Sequence, residues 1–193
     1  PNVDERRVGG FMRLSDEQYE DIKELVVSLF KEYDIRCIPI SAFEIAVKMG
    51  IKIIPYSALS EEKEKVALRI SKDGFSIEKS KQAWSIYYND RCESYGRINQ
   101  TIMHEIGHYW IGHVNIGEKE EAEANFFAKY ALAPPPLIHQ MQGKINTDTI
   151  KETFDLSFEA ARNAYQYYCK WLRYGGDEYQ EYEIDIIDLF DVA

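Results

Sequence analysis

Near the middle of the 193-residue chain lies the stretch Thr101-Ile-Met-His104-Glu105-Ile-Gly-His108-Tyr-Trp-Ile-Gly-His113. It contains the pattern H-E-x-x-H, whose two histidines stand four residues apart. Residues at that spacing lie one turn apart on the same face of an α-helix, so both imidazoles can reach one metal ion. Glu105 follows the first histidine directly and can reach a water molecule at that metal. The stretch therefore predicts a helix, over residues 97–113, that carries His104 and His108 as metal ligands.

The third ligand is expected on the helix that follows. A catalytic zinc site uses three protein ligands and leaves one position open for water. A second helix is predicted over residues 118–132, ending at a run of three prolines. On it, Glu121 and Asn125 share a face, which favours Glu121 as the ligand and Asn125 as a hydrogen-bond partner of a ligating histidine. Glu120 is the nearest alternative, whereas Glu123 lies about 200° around the helix and should point elsewhere.

Two other histidines follow the motif. The metzincin pattern H-E-x-x-H-x-x-G-x-x-H places its third histidine at the position of Val114 and its glycine at that of Ile111, so His113 is out of register. His113 is therefore expected at the C-terminal end of the motif helix, where the helix dipole favours it. Ligation by His113 remains the alternative. His139 is isolated beyond the prolines, and no catalytic role is predicted for it.

These parts are suited to hydrolysis of a peptide bond. Zinc would acidify a water molecule and polarise a carbonyl, while Glu105 takes the water's proton and passes it to the departing amine. The donor that stabilises the oxyanion is left open among four tyrosines: Tyr87, Tyr88, Tyr165 and Tyr174. The β-rich run just upstream is a candidate edge strand on which Trp84, Ile86 and Tyr88 pair with an extended substrate; an ordinary core strand is the alternative.

The rest of the chain predicts an α+β fold in which a small antiparallel sheet packs against the two motif helices. Ser15 and Gln18 form a capping box for a helix over 16–33, and Ser41 caps a second helix that ends at Gly50. A strand is predicted over 51–56, and three more β-rich runs follow, at 66–70, 74–77 and 83–88. Further helical segments are predicted at 137–141, 147–153 and 157–172.

Composition restricts the function and the location. The formal net charge of −10 argues against direct nucleic-acid binding, which needs a basic surface. Three widely spaced cysteines without a C-x-x-C pair predict free, buried thiols in a reducing compartment. No apolar run approaches the ~18 residues of a membrane span. We therefore expect a cytoplasmic protein with no membrane association.

Two segments together resemble the ImmA/IrrE family of metallo-endopeptidases. The family pattern has a basic lead into H-E-x-G-H, then E-x-x-A-N-x-F-A and a closing L-x-P. The chain matches it from Arg97 to His108 and from Glu121 to Pro134. The resemblance implies a zincin-like fold similar to a compact gluzincin, with zinc on His104, His108 and Glu121, and Glu105 as the catalytic base.

The same resemblance implies a partner. Family members typically cleave a helix-turn-helix repressor of a mobile element, prophage or stress regulon, so the expected partner is a protein substrate that regulates transcription. No helix-turn-helix is predicted within this sequence. The alternative is a catalytically silent sensor or protein-binding module that acts on a repressor by contact.

Three regions are predicted along the chain. A flexible lead-in at 1–14 precedes a single zincin-like metallopeptidase domain at 15–176, and an acidic tail follows at 177–193. The tail holds seven acids, no Lys or Arg, and interspersed isoleucine, leucine and phenylalanine. It is expected either to dock on a basic partner or to cover the cleft, with a solvated terminal segment as the alternative.

Overall fold

The computed structural model describes residues 12–78, 83–92, 94–175 and 178–190, which form an α+β fold. Its elements in chain order are α1 (Asp16–Glu32), α2 (Ala42–Lys48), β1 (Lys52–Pro55), a 3-10 turn (Tyr56–Ala58), α3 (Glu61–Ile70), β2 (Gly74–Glu78), β3 (Trp84–Tyr88), α4 (Tyr95–Ile111), α5 (Glu118–Leu132), α6 (Pro135–His139), α7 (Thr147–Phe154), α8 (Phe158–Tyr174) and α9 (Glu181–Phe190). The predicted α+β class, with a small sheet beside the motif helix, is confirmed. Residues 1–11 of the predicted lead-in lie outside the described residues.

The two motif helices, α4 and α5, pack against each other. Helix α4 ends at Gly112, whose φ of 84° is the left-handed conformation that glycine adopts without strain. Helix α5 has the predicted bounds and stops before the three prolines. A Cβ added at Gly107 would lie 3.0 Å from the ring of Phe127. Glycine at this position therefore lets α5 approach α4 closely, which brings Glu121 near the two histidines.

Helix α4 is fixed to the rest of the core by apolar and polar contacts. Ile102, Met103 and Ile106 are fully buried in one hydrophobic cluster with residues of α1 and α5. Asn99 is also buried, and it bridges two segments: its Oδ1 accepts from the backbone N–H of Ala42 at 2.7 Å, and its Nδ2 donates to the carbonyl of Ile40 at 2.9 Å. A buried amide satisfied on both sides fixes the position of α4 relative to the start of α2.

The sheet is mixed, not the predicted antiparallel meander. Its strand order is β1-β3-β2, with β1 parallel and β2 antiparallel to β3. Residues 66–70, predicted as a strand, form the second half of α3. Short apolar runs do not distinguish a strand from a helix by periodicity alone, and the acidic first turn of α3 stabilises the helix. With this run removed from the sheet, β1 reaches β3 through a crossover connection, as parallel pairing requires.

The described part of the acidic tail is a packed helix and not a solvated segment. Helix α9 lies against α1 and α6. Ile186 is fully buried, and the ring of Phe190 contacts that of Phe30 with centroids 5.7 Å apart. Trp171 Nε1 donates to Glu183 Oε1 at 2.6 Å. Residues 177 and 191–193 lie outside the description; the predicted division into domain and tail stays a prediction.

The stability contributed by α9 can be measured with a matched pair of isoleucines. Ile186→Ala is expected to lower the free energy of unfolding by ~2–4 kcal/mol, because it empties a fully buried site. Ile184 is 48% exposed on the same helix, so Ile184→Ala should cost less than about 1 kcal/mol. Urea titration of both variants provides the comparison. Equal losses would contradict the observed packing of α9.

The cysteines and the helix lengths can be compared with the predictions from the sequence. Cys37, Cys92 and Cys169 are free thiols, as predicted, but the prediction that they are buried is wrong, because Cys37 is exposed and the other two are half-buried. Among the described residues, none of the helices combines the length and apolar character needed to cross a lipid bilayer.

Candidate metal centre

The ligand atoms of His104, His108 and Glu121 lie close together. The two histidine Nε2 atoms are 3.0 Å apart. Glu121 Oε2 is 3.4 Å from His104 Nε2, and Glu121 Oε1 is 3.6 Å from His108 Nε2. In a tetrahedral zinc site with bonds of about 2.0–2.2 Å, neighbouring ligand atoms are roughly 3.4 Å apart. The three side chains thus have the separations that a shared zinc ion requires.

The electrostatic environment keeps the two imidazoles neutral. Burial lowers the pKa of His104 to about 4. Burial likewise lowers the pKa of His108 to about 4, with a further contribution from His104. A metal ligand must present an unprotonated ring nitrogen, so both histidines are in the ligating form at neutral pH.

Two imidazoles and one carboxylate are the donor set of many three-ligand zinc sites. The His108 side chain is only 2% exposed, whereas that of Glu121 is 49% exposed. The cluster is therefore closed on the side of α4 and open toward solvent on the side of Glu121. A zinc ion held there would supply Lewis-acid chemistry with one position accessible from the cleft.

Glu105 lies beside the cluster but is not part of it. Its carboxylate is nearly buried, and Ser76 Oγ donates to Glu105 Oε2 at 2.7 Å. Burial raises the pKa of Glu105, while the hydrogen bonds from Ser76 oppose that rise. Sequence reasoning missed Ser76, because the contact joins α4 to a strand far away in sequence and no motif marks this serine.

Asn125 is placed to orient one of the histidines. Its Nδ2 donates to the backbone carbonyl of Glu121 at 2.8 Å, and its side chain also hydrogen-bonds the ring of His104. If the amide oxygen accepts from Nδ1–H of His104, the lone pair of Nε2 is free for a metal.

His113 contacts the ring of His108 on the side away from Glu121, and Glu123 contacts His113. His113 lies just beyond the end of α4, as predicted, and its Nδ1 is 2.8 Å from His108 Nδ1. Its Nε2 is 3.0 Å from Glu123 Oε2. Glu123 thus points away from the ligand cluster, as its helical phase predicts. Glu120 is not part of the ligand cluster either. Its Oε2 accepts from the backbone N–H of Gly117 at 2.9 Å.

The ligand cluster and Glu105 line an open cleft of about 1130 Å³. The predicted substrate strand with Trp84, Ile86 and Tyr88 is wrong, because β3 is the central strand and is paired on both sides. The strand that borders the cleft is β2, an edge strand whose residues Gly74, Phe75 and Ser76 line it. A peptide that pairs with this sheet beside the cluster would therefore lie along β2.

The oxyanion donor predicted among the tyrosines does not line the cleft. Within the described residues, Tyr87, Tyr88, Tyr165 and Tyr174 are all absent from its wall. Side-chain N–H donors that do line it are Arg97, Gln100, Asn125, Lys129 and Asn163. His139 is also remote from the cluster, with its Nδ1 2.9 Å from the hydroxyl of Tyr168.

Comparison with family models matches residues 48–165 to Peptidase_M78, described as the IrrE N-terminal-like domain. The chain belongs to this peptidase family. The matched segment includes the sheet, both motif helices and the first eight residues of α8, so it contains the complete candidate site. The resemblance found in the sequence is confirmed, and Peptidase_M78 membership points to a metallopeptidase. The comparison with curated proteins gives no match.

Proposed function

We propose that the protein is a zinc-dependent, site-specific endopeptidase that hydrolyses a peptide bond in a regulatory protein, in particular a helix-turn-helix repressor. The observation that carries the proposal is the position of Glu105, a buried carboxylate beside a three-ligand cluster in an open cleft. A ligand cluster alone would serve a structural metal. A carboxylate next to it, outside the ligand set, is what hydrolysis requires in addition.

Glu105 performs the proton transfers in this mechanism. Ser76 Oγ donates to Oε2, and we assign the other carboxylate oxygen, Oε1, to take the proton of the attacking water. The same oxygen then delivers that proton to the nitrogen of the departing amine. The raised pKa of Glu105 suits the first step, because a carboxylate with a higher pKa is a stronger base. A pKa shifted toward the working pH is also the compromise that suits a group which must first take up a proton and then release it.

The substrate would bind as an extended segment along β2. The backbone of this edge strand offers N–H and C=O groups that an added strand can pair with. Ile70 and Ile116 also line the cleft, with exposed fractions of 60% and 57%. Apolar side chains of the substrate would cover these isoleucines, which gives the cleft a basis for selecting its cleavage site.

The net negative charge of the chain favours a binding partner with a basic surface. Helix-turn-helix regulators carry lysine and arginine to neutralise DNA phosphates. A protein with net charge −10 attracts such a surface at long range and repels DNA itself. Together with the family resemblance, this charge favours a repressor over other proteins as the substrate.

Ser76→Ala should change the pH dependence of cleavage. The hydroxyl of Ser76 lowers the pKa of Glu105 against the effect of burial, so its removal raises that pKa further. Glu105 must be ionised to act as base, and a higher pKa means that the ionised form is lost at a higher pH on acidification. We expect the acidic limb of kcat/KM to move to higher pH. A limb that moves to lower pH would contradict this role.

Co-expression with a helix-turn-helix repressor, chosen where one is encoded beside the gene, tests the proposal. Wild-type protein should yield two discrete repressor fragments, while the Glu105→Gln variant should leave the repressor intact. Zinc content is measured on both purified proteins. A wild-type protein that binds the repressor tightly without cleaving it, and without stoichiometric zinc, would contradict the proposal and favour the non-catalytic module.

A further inference from the structure

A continuous row of polar side chains leads from His108 to a buried carboxylate. His108 Nδ1 and His113 Nδ1 are 2.8 Å apart, and His113 Nε2 and Glu123 Oε2 are 3.0 Å apart. The side chains of His113 and Glu123 are only 6% and 11% exposed. Solvent therefore has little access to this row, and its hydrogen bonds are made within the protein.

The positions of the hydrogens follow from the first contact. Two ring nitrogens at hydrogen-bond distance require one to donate and the other to accept. A metal at His108 Nε2 takes the lone pair of that atom, so the hydrogen of the neutral ring is on Nδ1, which donates to His113. His113 then carries its own hydrogen on Nε2 and donates it to Glu123. All the bonds run in one direction, and the row ends on a carboxylate that accepts.

Glu123 is itself held by two other residues. Gln18 Nε2 donates to Glu123 Oε1 at 3.2 Å, and Lys119 Nζ lies 3.4 Å from the same oxygen. Gln18 is fixed in turn by the capping box of α1, where its Oε1 accepts from the backbone N–H of Ser15 at 2.9 Å. The carboxylate is therefore anchored to the N-terminus of α1 as well as to α5.

We infer that His113 and Glu123 form a positioning relay that fixes the tautomer and the ring orientation of His108 for zinc. His113 does not ligate the metal, because one of its nitrogens faces His108 and the other faces Glu123. The inference rests on the proposed zinc site. It goes beyond it by adding two residues that touch neither metal nor substrate and that set the affinity for the ion.

Zinc affinity provides the test, independently of cleavage. Dissociation constants are measured by competition with a chromophoric chelator for wild type, His113→Phe, His113→Gln, Glu123→Leu and Glu123→Gln, with Glu120→Gln as the control. Loss of an outer partner of a metal-ligating histidine costs roughly 10–100-fold in affinity. His113→Phe and Glu123→Leu should show that loss. His113→Gln supplies an amide oxygen that accepts from His108, so it should recover part of the affinity; Glu120→Gln should match wild type.

Cobalt substitution separates positioning from ligation. The intensity and position of the visible Co²⁺ bands report the number and kind of ligand atoms, so they should be the same in wild type and His113→Phe when both are saturated. A changed ligand field in His113→Phe would overturn the inference by making His113 a ligand. Zinc affinity within twofold of wild type in both His113→Phe and Glu123→Leu would also overturn it.

The outcome is distinguishable from failure of the proposed function. Tight zinc binding by the wild type without any cleavage would contradict the peptidase proposal but not the relay. Equally tight zinc binding by the wild type and by the His113 and Glu123 variants would contradict the relay but not the peptidase proposal. If His113→Phe fails to fold, Glu123→Gln decides: because a neutral amide accepts more weakly than a carboxylate, zinc affinity should fall measurably, and unchanged affinity overturns the relay.

Discussion

Glu105→Gln is expected to abolish peptide hydrolysis and to leave the bound zinc in place. A general base typically contributes ~10²–10⁴-fold to the rate, and glutamine cannot accept the proton of water. The variant should still fold, since the amide has the size of the carboxylate and its oxygen can accept from Ser76 Oγ, as Oε2 does in the wild type. The measurement is the rate of repressor cleavage by purified protein, together with its zinc content.

The control for this variant is a substitution that removes an acid elsewhere in the cleft. Glu159 lines the cleft on α8 but lies outside the ligand cluster. Glu159→Gln should reduce cleavage far less than Glu105→Gln, because it removes no group from the proton transfers. Cleavage by Glu105→Gln at the wild-type rate would contradict the assignment of Glu105 as the base.

Glu121→Ala is expected to lose the metal, whereas Glu120→Ala should keep it. Glu121 is one of the three proposed ligands, and its loss should weaken zinc binding by more than the roughly 10–100-fold that removal of an outer partner costs. Glu120 stands next to it with the same charge, but its carboxylate is directed to the backbone of Gly117. Zinc affinity by chelator competition compares the two.

The neighbouring pair makes this test selective. Both substitutions remove one negative charge at the start of α5, so their effects on net charge and on the helix dipole are alike. Because only Glu120→Ala also removes a bond to the start of the helix, zinc loss confined to Glu121→Ala reports ligation. Equal loss of zinc in the two variants, or loss only in Glu120→Ala, would contradict the ligand set of His104, His108 and Glu121.

The parts of the site that sequence reasoning predicted are those set by local geometry. The spacing of His104 and His108 places them on one face of any helix, and the phase of α5 separates Glu121 from Glu123. Both arguments need only the helical repeat. The same holds for the capping box at Ser15 and the stop at the prolines, since caps and breakers act within a few residues.

The parts that sequence reasoning missed depend on contacts between distant segments. Ser76 reaches Glu105 across the boundary between sheet and helix, and His113, just beyond the end of α4, meets Glu123 on α5. Nothing within a few residues of these side chains indicates such partners. The position of Glu123 around helix α5 excludes it as a metal ligand, but it does not predict which residue Glu123 contacts instead.

The errors in the fold have the same origin. Which strand is central depends on pairing between segments, and the sequence of β3 does not reveal that β1 and β2 both pair with it. The run at 66–70 is as apolar as a strand, yet its position at the end of an acidic-capped segment makes it helical. The alternation of acids with Ile186 and Phe190 predicts a tail that is solvated, docks on a partner or covers the cleft. The structure instead packs the apolar face of α9 on the protein's own core.

The central claim is a zinc ion held by two histidines of α4 and one glutamate of α5. It is tested most directly by an anomalous-difference map recorded at the zinc absorption edge on crystals of the wild-type protein. One peak is predicted, about 2.0–2.2 Å from His104 Nε2, His108 Nε2 and a carboxylate oxygen of Glu121. No peak at this site, or a peak that takes His113 in place of Glu121 as the third ligand, would contradict the claim.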